Sequence, residues 1–163
     1  NIQFLNYLTP ARSAAAHELA LKCFGIADQP WRGFEIPELT RIDPENLADT
    51  IAALKRESPC PVSTLKIGGM TADRIRAYYA SDEILRRRGC HMPFVTAFVV
   101  PPGRSVFCID YPWYFYGDLR GEKLSDAWFG DRARAYRRAL VDQYRRHGRN
   151  FPQCLRCNWP YNT

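Results

Sequence analysis

The segment CHMPFVTAFVVPPGRSVFC, residues 90–108, decides the fold of the C-terminal half of this chain. Two apolar runs, Phe94 to Val100 and Ser105 to Ile109, flank the sequence Pro-Pro-Gly-Arg at 101–104. Proline before glycine favours a type II turn, and apolar runs on both sides of such a turn predict a β-hairpin. One cysteine therefore stands at the entrance of the hairpin and another at the end of its second strand.

Four of the six cysteines form a pattern that is typical of metal ligands. After the hairpin, an aromatic patch at 111–116 and a predicted long helix from about Ser125 to Arg146 lead to the CxxC motif at 154–157. In a CxxC motif two thiolates on one tight turn reach the same metal, and distant cysteines complete the site. We therefore expect one metal centre, and an iron–sulfur cluster rather than zinc, on Cys90, Cys108, Cys154 and Cys157.

The remaining cysteines and the histidines suggest no second site. A thioredoxin-like redox pair belongs at a strand-to-helix junction, whereas this CxxC follows a helix and leads to the chain end. Cys23 is predicted to be a core residue, and Cys60 to be structural or incidental. His91 is not needed as a ligand, and His17 and His147 form no triad with a cysteine.

Residues 1–89 predict an α/β organisation. The expected elements are a strand at 2–8, a helix between Thr9-Pro10 and Gly25, a helix from Asp43-Pro44 to Ser58, a strand at 62–67 and a helix after Thr71. Strand, helix and strand form a βαβ unit with parallel strands and a right-handed crossover. Two strands are too few to be stable alone, so we expect the C-terminal part of a larger α/β body.

Helical periodicity predicts which side chains face the core. The expected inward positions are Ala16, Leu19, Ala20, Cys23 and Phe24 in the first helix, Leu47, Ile51 and Leu54 in the second, Ile75, Tyr78 and Tyr79 in the third, and Trp128, Tyr136, Leu140 and Tyr144 in the last.

Composition indicates a soluble globular chain without a membrane span. The longest apolar runs fall short of the roughly eighteen residues that cross a bilayer. There is no secretory signal, so we expect a cytoplasmic protein with reduced thiols. The net charge of +6 comes largely from seven arginines in the last third of the chain, in or just after the predicted long helix: Arg132, Arg134, Arg137, Arg138, Arg145, Arg146 and Arg149. A solvated helix that offsets an anionic cluster is favoured over a nucleic-acid face, because no recognition motif accompanies the charge.

The spacing Cys90-x12-Gly103-x4-Cys108, followed by Cys154-x-x-Cys157, resembles the auxiliary-cluster domain of radical S-adenosylmethionine enzymes. In its shortened twitch form this domain holds one four-iron, four-sulfur cluster with two hairpin cysteines and a later CxxC. The segment from Gly117-Asp118-Leu119 to Trp128 is similar to the family's glycine-led turn and following helix. The further cysteines of the longer, two-cluster SPASM form are absent from this sequence.

The resemblance implies two domains. Residues 1–89 would be the last βα units of a partial TIM barrel, and residues 90–163 a small iron–sulfur domain made of a β-hairpin and a helix. In the intact enzyme, a second four-iron, four-sulfur cluster on a CxxxCxxC motif would cleave S-adenosylmethionine. That motif is absent here, so this chain alone is expected to be inactive and to need the missing N-terminal part of the same enzyme.

The resemblance also implies an oxidoreductase or maturase acting on a small molecule or a ribosomal peptide. The auxiliary cluster would accept an electron from the substrate radical or anchor the domain, and an electron donor or acceptor protein is an expected partner. Four aromatic residues are candidates for substrate contact, although a hydrophobic cover over the cluster is favoured for them: Trp113, Tyr114, Phe115 and Tyr116. The alternative is a non-enzymatic zinc module whose basic helix contacts nucleic acid.

Overall fold

The computed structural model of the 163-residue chain describes residues 2–3, 7–28, 34–37, 42–62, 64–65, 72–80, 89–109 and 112–156. Its strands are β1 (Ile2–Gln3), β2 (Thr64–Leu65), β3 (Phe98–Val100), β4 (Arg104–Val106) and β5 (Phe115–Asp118). Its helices are α1 (Pro10–Phe24), α2 (Pro44–Glu57), α3 (Ala72–Ala80), α4 (Met92–Val95), α5 (Leu124–Phe129) and α6 (Asp131–His147), followed by a 3₁₀ helix at Pro152–Arg156.

The two N-terminal strands pair in parallel, as expected for a βαβ unit. Ile2 lies opposite Thr64 and Gln3 opposite Leu65. Parallel neighbours need a long crossover, and α1 and α2 lie in the chain between them. This arrangement is consistent with the α/β class. The rest of both predicted strands lies largely outside the described residues, and the partial TIM barrel stays a prediction.

The ends of α1 and α2 confirm the predicted capping residues. The Thr9 hydroxyl accepts a hydrogen bond from the Arg12 backbone N–H, and Gly25 ends α1 in the left-handed conformation with φ of 65°. The Asp43 carboxylate accepts hydrogen bonds from the first backbone N–H groups of α2. Because the first N–H groups of a helix have no partner inside it, these side chains determine where each helix begins.

The C-terminal half contains a three-stranded antiparallel sheet in the order β3-β4-β5. The predicted hairpin is confirmed, with Phe98 opposite Val106. Its first strand is shorter than expected because residues 92–95 form α4. The peptide between Pro101 and Pro102 is cis, and the Gly103 backbone N–H donates a hydrogen bond of 2.9 Å to the Val100 carbonyl oxygen. The type II turn stays a prediction. The third strand, β5, was not predicted.

The predicted single helix from Ser125 to Arg146 is two helices. Gly130 ends α5 and begins α6 in an extended conformation, with φ of −68° and ψ of 167°. A side chain at this position would meet the Asp126 carbonyl oxygen at 3.0 Å. Glycine therefore allows the close approach of the two helices at this corner.

Two hydrophobic clusters form the core. In the larger cluster, α1 packs against the C-terminal half. The ring centroid of Phe24 lies 4.7 Å from that of Tyr114 and 5.9 Å from that of Tyr136. The smaller one joins Tyr7, α2 and α3 around Ile51, Ile75 and Tyr78. The division into domains at residue 89 stays a prediction. In the part of the chain that the structure describes, every helix is too short or too polar to cross a lipid bilayer.

Two of the predicted core positions are wrong. Cys23 is exposed because the buried stripe of α1 runs through Ser13, Ala16 and Ala20 toward Phe24, and Cys23 lies about 100° around the helix from Phe24. Leu54 is 48% exposed because it lies one turn beyond Ile51, outside the residues that form the smaller cluster.

Candidate metal centre

Three of the four predicted ligands lie on one core. Cys90 precedes α4, Cys108 follows β4 by two residues, and Cys154 lies in the 3₁₀ helix. All three are partly buried and pack against the larger hydrophobic cluster. Cys157, the fourth predicted ligand, lies outside the described residues. The sheet and the C-terminal helices thus bring together cysteines that are up to 64 residues apart in the sequence.

The phenol of Tyr136 is buried in the same hydrophobic cluster. Burial is the largest cause that raises the pKa of Tyr136 well above its ordinary value, and the nearby thiols of Cys154, Cys108 and Cys90 raise it further. The three described cysteines thus pack against the same hydrophobic cluster as Tyr136. Their role as ligands of one metal centre stays a prediction.

Both the backbone and the thiol of Cys90 take part in hydrogen bonds. Its backbone N–H donates a hydrogen bond of 3.1 Å to the Asn150 side-chain oxygen, which belongs to the segment after α6. Burial raises the pKa of the Cys90 thiol, and a hydrogen bond from the Met92 backbone opposes this shift. A metal that binds Cys90 must therefore displace a proton from a neutral thiol.

Cysteine thiolates can bind either a single zinc ion or an iron–sulfur cluster. Among the described residues, no three Cys, His, Asp or Glu side chains form a group that could hold a metal ion. The fourth predicted ligand, Cys157, is not among these residues. The four-cysteine site stays a prediction.

The other described cysteines and the histidines are mostly exposed. Cys23 and Cys60 are exposed, and the described cysteines form no disulfide with one another. His91 is exposed at the N-terminal end of α4, His147 is exposed at the end of α6, and His17 lies in α1. The three described cysteines that were predicted as ligands are thus partly buried, whereas Cys23 and Cys60 are exposed.

The aromatic residues after Cys108 pack mainly inward. Trp113, Tyr114 and Tyr116 are buried in the larger cluster, whereas Phe115 is partly exposed under the Arg104 guanidinium. This favours the packing interpretation of three of them.

An open cleft of about 470 Å³ lies beside these residues, and Phe115 and Tyr116 border it. Its other lining residues are mostly polar or charged and include Arg104, Asp118 and Arg132. The role of the aromatic residues in substrate contact stays a prediction.

Close packing explains the glycine-led turn before α5. A side chain on Gly117 would meet the Ala127 Cβ at 2.4 Å and the Glu122 carboxylate at 2.9 Å. The strand β5 and the helix α5 can approach this closely only because residue 117 has no Cβ. The same Glu122 carboxylate accepts a hydrogen bond of 2.6 Å from the Asp118 backbone.

Two supporting residues were missed in the sequence. Asn150 accepts a hydrogen bond from the Cys90 backbone N–H, and Arg137 donates hydrogen bonds of 2.7 Å to the carbonyl oxygens of Pro93 and Trp128. Arg137 also lies over the Trp128 ring at 4.2 Å. No local pattern indicated either role, because every partner except Trp128 is distant in the chain.

One known protein family matches the part of the chain that contains the predicted ligands. The family model of SPASM, an iron–sulfur cluster-binding domain, matches residues 90–158. Neither a curated protein nor a solved structure matches this chain. The matched range contains all four predicted ligands together with Tyr136, Arg137 and Asn150. Residues 90–158 therefore match the SPASM family of iron–sulfur cluster-binding domains.

Proposed function

We propose that Cys90, Cys108, Cys154 and Cys157 bind one auxiliary four-iron, four-sulfur cluster in a radical S-adenosylmethionine enzyme. The observation that carries the proposal is that three of these cysteines pack against one hydrophobic cluster, inside the range that matches the SPASM family. The spacing of one CxxC after two hairpin cysteines supports a single cluster.

The proposal assigns the chemistry of the whole enzyme to two parts. A CxxxCxxC motif, which these 163 residues lack, would bind the catalytic cluster and S-adenosylmethionine on the partial TIM barrel. When bound, an auxiliary cluster supplies a site for exchanging single electrons with a substrate or a partner protein. The proposed substrate is a small molecule or a ribosomal peptide that undergoes radical-based modification or oxidation.

The proposal assigns no nucleic-acid partner to the basic helix. Arg134 forms an ion pair of 2.7 Å with Asp131, and Arg132 lies over the Tyr114 ring at 5.5 Å. Arg137 binds two backbone carbonyl oxygens. Three of the seven arginines therefore have structural partners inside the domain.

Anaerobic purification and reconstitution of the 163-residue chain tests the proposed cluster. Iron, sulfide and zinc are measured together with the visible spectrum and the EPR spectrum after reduction with dithionite. We expect about four iron and about four sulfide per chain. Stoichiometric zinc without visible absorbance would contradict the proposal. With added S-adenosylmethionine and dithionite, this chain alone should release no 5′-deoxyadenosine.

Single Cys→Ser variants test the ligand assignment. Each of Cys90→Ser, Cys108→Ser, Cys154→Ser and Cys157→Ser should lose the intact cluster. Cys23→Ser and Cys60→Ser are matched controls, because both thiols are exposed, and they should keep full iron content. An unchanged cluster in Cys90→Ser would show that the assignment is wrong.

A further inference from the structure

Two arginine side chains, Arg104 and Arg132, border the open cleft of about 470 Å³ beside β5. The Arg104 Cζ lies 4.7 Å from the centroid of the Phe115 ring, and the Arg132 Cζ lies 5.5 Å from that of the Tyr114 ring. Both side chains are exposed, and among the residues that the structure describes neither guanidinium forms an ion pair. We call these two residues the cleft arginines.

The three carboxylates that line the cleft are bound by other groups. The Arg120 Nε donates a hydrogen bond of 2.8 Å to Asp118, and Arg134 forms an ion pair of 2.7 Å with Asp131. The Glu122 carboxylate accepts a hydrogen bond of 2.6 Å from the Asp118 backbone N–H. Two of the three carboxylates are therefore neutralised by arginines outside the cleft, and the positive charge of the cleft arginines is left for a ligand.

The size and chemistry of the cleft fit a ligand with carboxylate groups. Its volume falls in the range of sites that hold small molecules, and its walls are the strand β5 and the first residues of α6. A planar guanidinium donates two parallel hydrogen bonds to a carboxylate. When it lies over an aromatic ring, its N–H groups point outward from the edge of the stack and stay available to an anion.

The charge of the surroundings favours a carboxylate over a phosphate. The Glu122 carboxylate has a backbone N–H as its partner instead of a cation, so one negative charge on the cleft is not neutralised. Repulsion from this charge is greater for a doubly charged phosphate than for a singly charged carboxylate.

We propose that the cleft between β5 and α6 binds a ligand through its carboxylate groups, which the guanidinium groups of Arg104 and Arg132 hold. Two sources share this chemistry: the acidic side chains of a peptide and a free dicarboxylic acid. The inference goes beyond the proposed function and does not depend on it, because no residue that lines the cleft is a predicted cluster ligand.

Isothermal titration calorimetry of the anaerobically purified 163-residue chain at low salt tests this site. The probes are glutarate, a capped pentapeptide with two glutamates, the same peptide with two glutamines, and inorganic phosphate. We expect the glutamate peptide or glutarate to bind, and the glutamine peptide and phosphate to bind at least about tenfold more weakly.

A double variant tests the cleft arginines against a control with the same loss of charge. Arg104→Gln with Arg132→Gln should weaken binding at least about tenfold. Arg145→Gln with Arg146→Gln removes two exposed cations at the other end of α6, outside the cleft, and should change the affinity by less than about twofold at moderate salt. Thermal unfolding shows whether each double variant is folded.

An NMR titration of the unchanged chain keeps the test decisive if the first double variant does not fold. The Nε–H signals of the arginines are followed during addition of the glutamate peptide or of glutarate. We expect the signals of Arg104 and Arg132 to shift, and those of Arg145 and Arg146 to stay in place.

The outcomes support or overturn the inference as follows. Binding that is lost only in the variant of the cleft arginines supports it, and the probe that binds more tightly identifies the source of the carboxylate. Equal binding of the glutamine peptide, equal losses in the two double variants, tighter binding of phosphate, or no binding of either acid overturns it. The iron and sulfide analysis is independent of these results, so the proposed function is tested separately.

Discussion

The backbone N–H of Cys90 donates a hydrogen bond to the side-chain oxygen of Asn150 at 3.1 Å. Asn150 is buried, and the two residues are 60 positions apart in the sequence. This contact joins the segment before the sheet to the segment after α6. The contact therefore ties the first predicted ligand to the part of the chain that leads to the CxxC motif.

Replacement of Asn150 should weaken this connection. Asn150→Ala leaves the Cys90 N–H without its acceptor, and we expect the free energy of unfolding in urea to fall by about 1–3 kcal/mol. Asn46→Ala is the control, because Asn46 is exposed on α2, and it should change stability by less than about 0.5 kcal/mol. Equal effects of the two substitutions would contradict the structural role of Asn150.

A methyl group at position 117 should force β5 and α5 apart. In Gly117→Ala the new Cβ meets Ala127 and Glu122, so we expect a loss of about 1–3 kcal/mol in the free energy of unfolding. Gly121→Ala adds the same methyl group where no atom lies within 4 Å. Chemical denaturation of both variants checks this prediction, which fails if Gly117→Ala is as stable as Gly121→Ala.

Arg137 should be more important for stability than its neighbour on α6. Arg137→Gln removes the donors to the Pro93 and Trp128 carbonyl oxygens and the cation over the Trp128 ring. Hydrogen bonds to a charged group contribute strongly, so we expect a loss of about 2–3 kcal/mol. Arg138→Gln, at an exposed position, should cost less than about 0.5 kcal/mol in the same unfolding experiment.

Truncation of Phe24 tests whether α1 is part of the core of the segment that matches the SPASM family. The ring contacts Tyr114, Tyr136 and two other aromatic residues, and Phe24→Ala should lower the free energy of unfolding by about 3 kcal/mol. Leu21→Ala, on the half-exposed face of the same helix, should have a much smaller effect. If a chain that begins near residue 89 is as stable as the 163-residue chain, α1 is not required by this core.

Asp118 should titrate at unusually low pH. Hydrogen bonds from the Arg120 side chain, then from its backbone, lower the pKa of Asp118 from 3.8 to about 2. Because the pKa is depressed in the folded state, the ion pair stabilises the fold above pH 3.8, and this contribution is lost as the pH falls toward 2. An NMR titration of the carboxyl carbon should show this value, and Arg120→Gln should raise it toward 3.8. An unchanged pKa in Arg120→Gln would exclude Arg120 as the cause.

Some of the fold and most of the candidate site followed from local sequence patterns. Thr9, Gly25 and Asp43 mark helix ends because capping acts within one turn of the chain. The hairpin followed from two apolar runs around a proline-glycine turn. The cysteine spacing indicated one metal centre, and the three described thiols do lie on one core.

The sequence by itself determined the capped helices and the parallel pairing of the first two strands, and it predicted four cysteine ligands. Only the tertiary structure decided that β5 joins the hairpin, that Gly130 divides the last helix, and that Cys23 and Leu54 face solvent. It also placed the Asn150 side chain against the Cys90 backbone N–H. These features depend on contacts between residues that are distant in the chain, and periodicity within one element carries no information about what will cover it.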